Sequence, residues 1–182
     1  MGDVLGFWFE QAGPQKWFKK DPAFDARVKT LFEETVRALK TELDQGGVAK
    51  WEGDASGSLA LILCFDQFPR NMYRESPRAF LFDGLARGAA RRALKKGYDL
   101  QTLAARRAFF YMPFMHSEEI ADQDLCVDLT CHRLEGDNTA HHARQHRDVI
   151  RRFGRFPHRN TILGRPSTDE EEVFIQKGGF AP

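Results

Sequence analysis

An all-α fold is predicted for this chain, an irregular array of antiparallel helix hairpins in one domain. Three observations predict it. Apolar residues recur at helical spacing almost throughout, and caps and prolines punctuate that spacing at short intervals. No stretch alternates with period two between hairpin turns, so no sheet is expected. A length of 182 residues favours a single domain, 1–182. Such a domain buries roughly 70% of the surface its unfolded chain exposes. The 16 Phe and 3 Trp make that core bulky and aromatic.

The N-terminal Phe7, Trp8, Phe9, Trp17 and Phe18 read as core, because large aromatic side chains dominate burial energetics. Asp21-Pro22 then supplies an N-cap acid and a proline at the first helical position, where its missing N–H costs nothing. Phe24, Val28, Leu31, Phe32, Thr35 and Leu39 trace one apolar face to about Leu43, and Gly46-Gly47 stops the helix. Asp54 or Ser56 opens the next, which carries Leu59, Ile62, Leu63 and Phe65 and is expected to end at Pro69. Ser76-Pro77 repeats the cap-then-proline device ahead of Phe80, Leu81, Leu85, Ala89, Ala93 and Leu94, with Gly97 just past the end.

A shorter segment from Leu100 to Met112 is cut off by Pro113. Ser117 with Glu118 and Glu119 looks like a helix start, acids sitting well in a first turn. That helix runs through Leu125, Leu129 and His132 to Gly136. Asp137 or Thr139 opens another, ending at Phe153 before Gly154, and Asn160 starts a short turn through Leu163. Ser167-Thr168-Asp169-Glu170 reads as a capping box ahead of Val173, Phe174 and Ile175.

Composition excludes some functions. A net charge of +1 offers no long-range field for a polyanion, so nucleic acid is not an expected partner. The run Arg144, Arg147, Arg151, Arg152 and Arg155 is expected to be a solvated helix face. Cys64, Cys126 and Cys131 form no Cys-x-x-Cys pair, and Cys64 reads as a small buried hydrophobe. The longest apolar run, Leu59 to Phe65, is too short to span a bilayer, and no targeting segment is visible. A soluble, cytoplasmic protein with no membrane partner is expected.

Chemistry concentrates in three polar segments. In Asp66–Arg74, Asp66 and Gln67 are expected in the last turn of a helix, with Arg70, Asn71 and Arg74 after the break. Arg70 or Arg74 can fork onto a carboxylate or phosphate. Alternatively Asp66 pairs with an arginine and locks the turn, since an acid in a last turn needs a compensating cation. In the second segment Gly154 permits a positive-φ stop and Pro157 restrains the chain, gathering Arg155, His158, Arg159 and Asn160. Arg155 and Arg159 can hold an anionic group with His158 within reach as a proton donor or acceptor; the alternative is a turn whose side chains cap neighbouring helices. In the third, Ser117 reads as a cap rather than a nucleophile, leaving His116 and Glu118 to face the same pocket as His158. His142 and His146 have metal-compatible i, i+4 spacing but no following Glu, and no metal or other cofactor is expected.

These segments also carry a family resemblance. The chain resembles the bacterial family known as domain of unknown function 924. It does so through Phe7-Trp8-Phe9, Trp17-Phe18 with Asp21, Asp66-Gln67-Phe68-Pro69-Arg70-Asn71 with Arg74, and Ala79-Phe80 with Asp83. Further matches are Pro113-Phe114-Met115-His116-Ser117-Glu118 with Asp122-Gln123, His146 with Ile150, and Phe153 to Asn160 continuing to Leu163-Gly164-Arg165 and Ser167-Thr168. The resemblance implies an all-helical, tetratricopeptide-like fold and no particular activity.

The leading expectation is a protein that binds a small anionic ligand in a polar pocket. Asp66, Gln67, Arg70, Asn71, Arg74, His116, Glu118, Arg155, His158, Arg159 and Asn160 would build it. Two alternatives stand beside it. One is an enzyme using His158, His116, Glu118 and Asp66 for acid–base chemistry, with no catalytic residue assigned. The other is a tetratricopeptide-like interaction scaffold that reads a peptide.

Overall fold

The structure is a computed structural model that describes residues 2–46, 50–136 and 138–179. Eleven α-helical segments and no strand occur among the described residues. They fall into two compact units. The first comprises Met1–Arg74 and Arg78–Pro113, the second Glu75–Pro77 and Phe114–Pro182. No helix among the described residues is long and apolar enough to cross a membrane.

The first unit begins with α1 (Gly2–Leu5), which passes into π-helical winding over Gly6–Ala12, then α2 (Pro14–Trp17) and α3 (Pro22–Asp44). Asp21 caps α3 as expected, accepting from the N–H groups of Ala23 and Phe24 at 3.1 Å each. Gly46 beyond its end has a positive φ, and Gly47 lies outside the described residues. Next come α4 (Ala55–Met72), capped by Asp54, and α5 (Asp83–Lys95), with α3 and α5 packed against α4. α6 (Ala104–Arg107) and the turn α7 (Met112–Met115) follow. Successive long helices joined by short connections lie side by side, compatible with the tetratricopeptide-like expectation.

α4 is apolar all round because it is enclosed all round; every residue from Leu59 to Phe65 is buried. It does not end at Pro69. The helix continues to Met72, and the Tyr73 N–H bonds the Pro69 carbonyl at 2.9 Å. A proline inside a helix costs about 3 kcal/mol. Burying a Phe side chain such as Phe68 returns about 2 kcal/mol, and Met72 on the same helix is buried too. The Phe68 ring stacks on Phe32 at 4.7 Å and meets Trp8 at 5.6 Å. Phe7 and Trp8 thus enter the core as expected, whereas Phe18 is 70% exposed.

Other boundaries moved. Ser76-Pro77 opens no α-helix: Pro77–Phe80 is a 3-10 turn, and α5 starts six residues later, leaving Leu81 exposed. Leu31, on the predicted apolar face of α3, is also exposed, that face being carried instead by Phe24, Val28, Phe32, Val36 and Leu39. Pro113 lies inside α7 rather than ending a helix.

The second unit is a hairpin of α8 (Ile120–Arg133) and α9 (Asn138–Phe153), then a 3-10 turn at Pro157–Arg159, α10 (Asn160–Leu163) and α11 (Asp169–Gln176). Glu119, not Ser117, is the N-cap residue of α8. The Ser117 hydroxyl instead accepts the Glu119 N–H at 3.2 Å and donates to Asp122 at 2.8 Å. Asp137 lies outside the described residues, and α9 starts at Asn138. Gly154 stops α9 with φ +69°, and Val149, Ile150 and Phe156 form a small core with Phe153 and Phe174 against it. The capping box of α11 is shifted one residue from the predicted register, pairing Thr168 with Glu171.

Candidate functional site

The Asp66–Arg74 segment lies wholly on the C-terminal half of α4 and in the residues just after it, inside the first unit. Its cations are engaged by acids. Arg70 forks onto Asp83, the first residue of α5, at 2.8 and 3.0 Å. Its Nη1 also donates to the Asp66 carbonyl at 2.7 Å and lies 3.6 Å from the Asp66 carboxylate, which is 1% exposed. Burial works against the charge on Arg70, but Asp66 and Asp83 outweigh it and raise its pKa. Arg74 forks onto Asp25 at 2.7 and 2.8 Å, and Asn71 donates to the same carboxylate at 2.8 Å. Gln67 donates to Asp66 at 2.6 Å. Asp25 and Asp83 sit in the first turns of α3 and α5, where acids also complement the helix dipole. The C-terminal end of α4 is therefore tied to both neighbouring helices by bidentate ion pairs.

The other two segments come together in the second unit. Glu118 accepts a fork from Arg165 at 2.7 and 3.0 Å and the Phe156 N–H at 2.9 Å. Burial alone would raise the Glu118 pKa; these donors outweigh it and hold it below the ordinary value. Arg155 forks onto buried Glu171 at 2.6 and 2.7 Å, which pulls the Glu171 pKa down to about 2. Asn160 donates to Ser167 at 3.1 Å and accepts from Arg165 at 3.1 Å. Arg155, Glu118 and Asn160 thus hold the turn between α9 and α11 in one shape.

That shape gathers side chains of another kind around Phe156. The Arg159 guanidinium, on a residue 6% exposed, lies over the Phe156 ring at 4.4 Å. The His158 ring is 5.5 Å from Phe156 and the His146 ring 5.6 Å, edge-on. His116 completes the group, 6.3 Å from His146. Burial, reinforced by Arg159, pushes the His158 pKa down to about 4, and its Nδ1 is buried with no hydrogen-bond partner among the described residues. His146 is 3% exposed, and burial drives its pKa down to about 3. Its Nδ1 lies 2.8 Å from the His142 carbonyl, so the neutral ring carries its proton on Nδ1 and the lone pair on Nε2. His142 is exposed and contributes its carbonyl, and no cluster of three or more metal-ligating side chains occurs among the described residues.

The structure thus unites His116, Glu118, Arg155, His158, Arg159 and Asn160 in one unit and places Asp66, Gln67, Arg70, Asn71 and Arg74 in the other. Sequence reasoning left His146 out of the site, naming it only as half of a metal pair and as a family match with Ile150. It also left Asp25, Asp83, Arg165 and Glu171 outside the site, although these supply most of the partners. The visible signal was the helical spacing of Ala143, His146 and Ile150, which puts His146 on the inward face of α9.

The sequence model of one family, described as bacterial protein of unknown function (DUF924), matches residues 4–179. Among solved structures, the protein of unknown function ATU0120 from Agrobacterium tumefaciens is similar. It is 43% identical with a TM-score of 0.88, over 97% of this chain and 97% of that one. No curated protein matches.

Proposed function

Because the chain belongs to the DUF924 family of bacterial proteins of unknown function, its role has to be read from its own side chains, and we propose that it binds a small anionic molecule at the imidazole and guanidinium group around Phe156. The observation that carries this is the convergence of His146, His158 and Arg159 on the Phe156 ring with His116 beside His146, and a buried Nδ1 of His158 without a hydrogen-bond partner among the described residues. Arg70 and Arg74 leave the ligand set. Each is already forked onto an acid, and turning it to a ligand would leave that partly buried carboxylate without its partner. Arg155, Glu118, Asn160 and Arg165 act as the scaffold that aims the others.

The two lowered imidazole pKa values make binding proton-linked. Near neutral pH His146 and His158 are uncharged. An anion placed beside them favours their protonated forms, so it is bound together with protons and its affinity rises as pH falls. Calorimetric titration with inorganic phosphate and with a panel of small carboxylates, at about pH 6 and about pH 8, tests this. Binding that strengthens at the lower pH and is lost in Arg159→Gln and His158→Asn is expected. An ion that binds both folded variants as it binds the wild type sinks the reading.

Acid–base chemistry in the same group is the second reading, favoured by the buried, unengaged Nδ1 of a neutral imidazole at His158. Hydrolysis or isomerisation of a bound anion that disappears in His158→Asn while binding survives would distinguish it from binding alone.

A further inference from the structure

The N-terminal winding does more than fill the core. Its outer side borders a cleft of about 520 Å³, within the range of small-molecule sites. Phe7, Leu31, Phe32 and Trp51 give this cleft apolar walls. Leu31 lies in it while remaining 49% exposed, which accounts for an apolar residue on α3 that joins no core. Gly2 and Gly6 also line it. A Cβ on Gly2 would meet nothing within 4 Å, and one on Gly6 only the end of the Glu10 side chain at 3.9 Å, so the space beside them is open. The wall is π-helical from Gly6 to Ala12, a rare winding that recurs at functional sites.

Two charges face this cleft, and neither is neutralised within the described residues. Arg27 is held by Gln11, to which its Nη2 donates at 2.8 Å, and by the Phe7 ring 5.3 Å beneath its guanidinium. Arg70, Arg74, Arg92, Arg155 and Arg165 are each forked onto a carboxylate, whereas Arg27 has no acidic partner among the described residues. It is positioned without being paired. The second charge is Asp3, an exposed carboxylate on α1 that also lines the cleft and makes no ion pair among the described residues. Arg27, Gln11 and Phe7 border in addition a second recess of about 220 Å³, so the guanidinium stands where two hollows meet and is reachable from both.

From one unpaired cation, one unpaired anion and an apolar wall in a single cleft, we propose that this is a binding site for an apolar amino carboxylate, an α-amino acid or short peptide with a hydrophobic side chain. The carboxylate forks onto Arg27, the ammonium group meets Asp3, and the side chain packs on Phe7, Leu31 and Trp51. A simple carboxylate satisfies only Arg27 and leaves Asp3 facing an apolar body. An amine satisfies only Asp3. The site lies entirely in the first unit and does not depend on the anion site around Phe156.

The test uses the full chain, with calorimetry and the fluorescence of Trp51 as independent readouts. L-phenylalanine and leucyl-phenylalanine are the probes; phenylpropionate lacks the amine and phenethylamine lacks the carboxylate. At least one probe is expected to bind, with each of the two truncated analogues about tenfold weaker or more, as for loss of a charge-assisted hydrogen bond. Arg27→Met should abolish the advantage of the probe over phenethylamine. Asp3→Asn should abolish its advantage over phenylpropionate and leave phenylpropionate binding as it was. Both residues are exposed, so both variants keep the fold. Trp51→Phe should keep the heat of binding and lose the fluorescence change. Absence of binding by both probes, equal binding of phenylpropionate, or an Arg27→Met protein that binds like the wild type would each overturn the proposal.

Discussion

Arg155 and Glu171 show how a single pair sets the second unit. Glu171 is 2% exposed, accepts both prongs of Arg155 and also closes the capping box of α11 through the Thr168 N–H at 2.8 Å. Removing the guanidinium strands that carboxylate in a buried place. Arg155→Met is therefore expected to destabilise the protein more than Thr168→Ala, which deletes only a cap and costs about 1 kcal/mol. Urea denaturation of the two variants checks the ranking, and equal losses would mean that the fork contributes nothing beyond the cap. The sequence pointed to the arginine and to a capping box one residue away. It could not announce that they share one carboxylate, because sixteen residues separate Arg155 from Glu171 and no local rule couples them. The same holds for Arg74 and Asp25, 49 residues apart.

At the level of the helix, α4 and the turn before α5 make the instructive contrast. Leu63 belongs to a run that is buried on every side, so Leu63→Ala should cost about 2 to 5 kcal/mol. Leu81, which helical periodicity placed on an apolar face, is exposed in the turn before α5, so Leu81→Ala should change stability by less than about 0.5 kcal/mol. Thermal or chemical denaturation of both decides between the predicted and observed registers; a large loss at Leu81 would restore the predicted one. Caps were legible because they are local. Asp21 and Asp54 bond N–H groups two or three residues on; Asp54 was one of two candidates beside Ser56, and Asp21 was identifiable from the chain alone. The stop at Pro69 was not, because the local rule against proline competes with burial of Phe68 and Met72, and that burial depends on residues far away in sequence.

For the molecule as a whole, acid stability reports the buried imidazoles. Both His146 and His158 have pKa values below the ordinary 6.5, at about 3 and about 4. Between those values and 6.5 the unfolded chain holds more protons than the folded one. Their contribution is then complete above pH 6.5 and is lost as pH falls toward the folded values, by at most about 1.4 kcal/mol per pH unit for each ring. Glu118 and Glu171 are held low, so their contribution declines only below the ordinary carboxylate value of 4.5. A Tm that falls from about pH 6.5 to about pH 5, and a flatter profile in His146→Gln, are expected; a flat wild-type profile over that interval counts against buried neutral histidines. The sequence by itself determined the helical class, the Asp21 cap, the glycine stop at Gly154 and the family, since each depends on spacing within a few residues or on motifs along the chain. Only the tertiary structure decided which arginines are spent on acids and which histidines meet. Those outcomes rest on contacts between segments distant in the chain, where charge and burial act through space and not along the backbone.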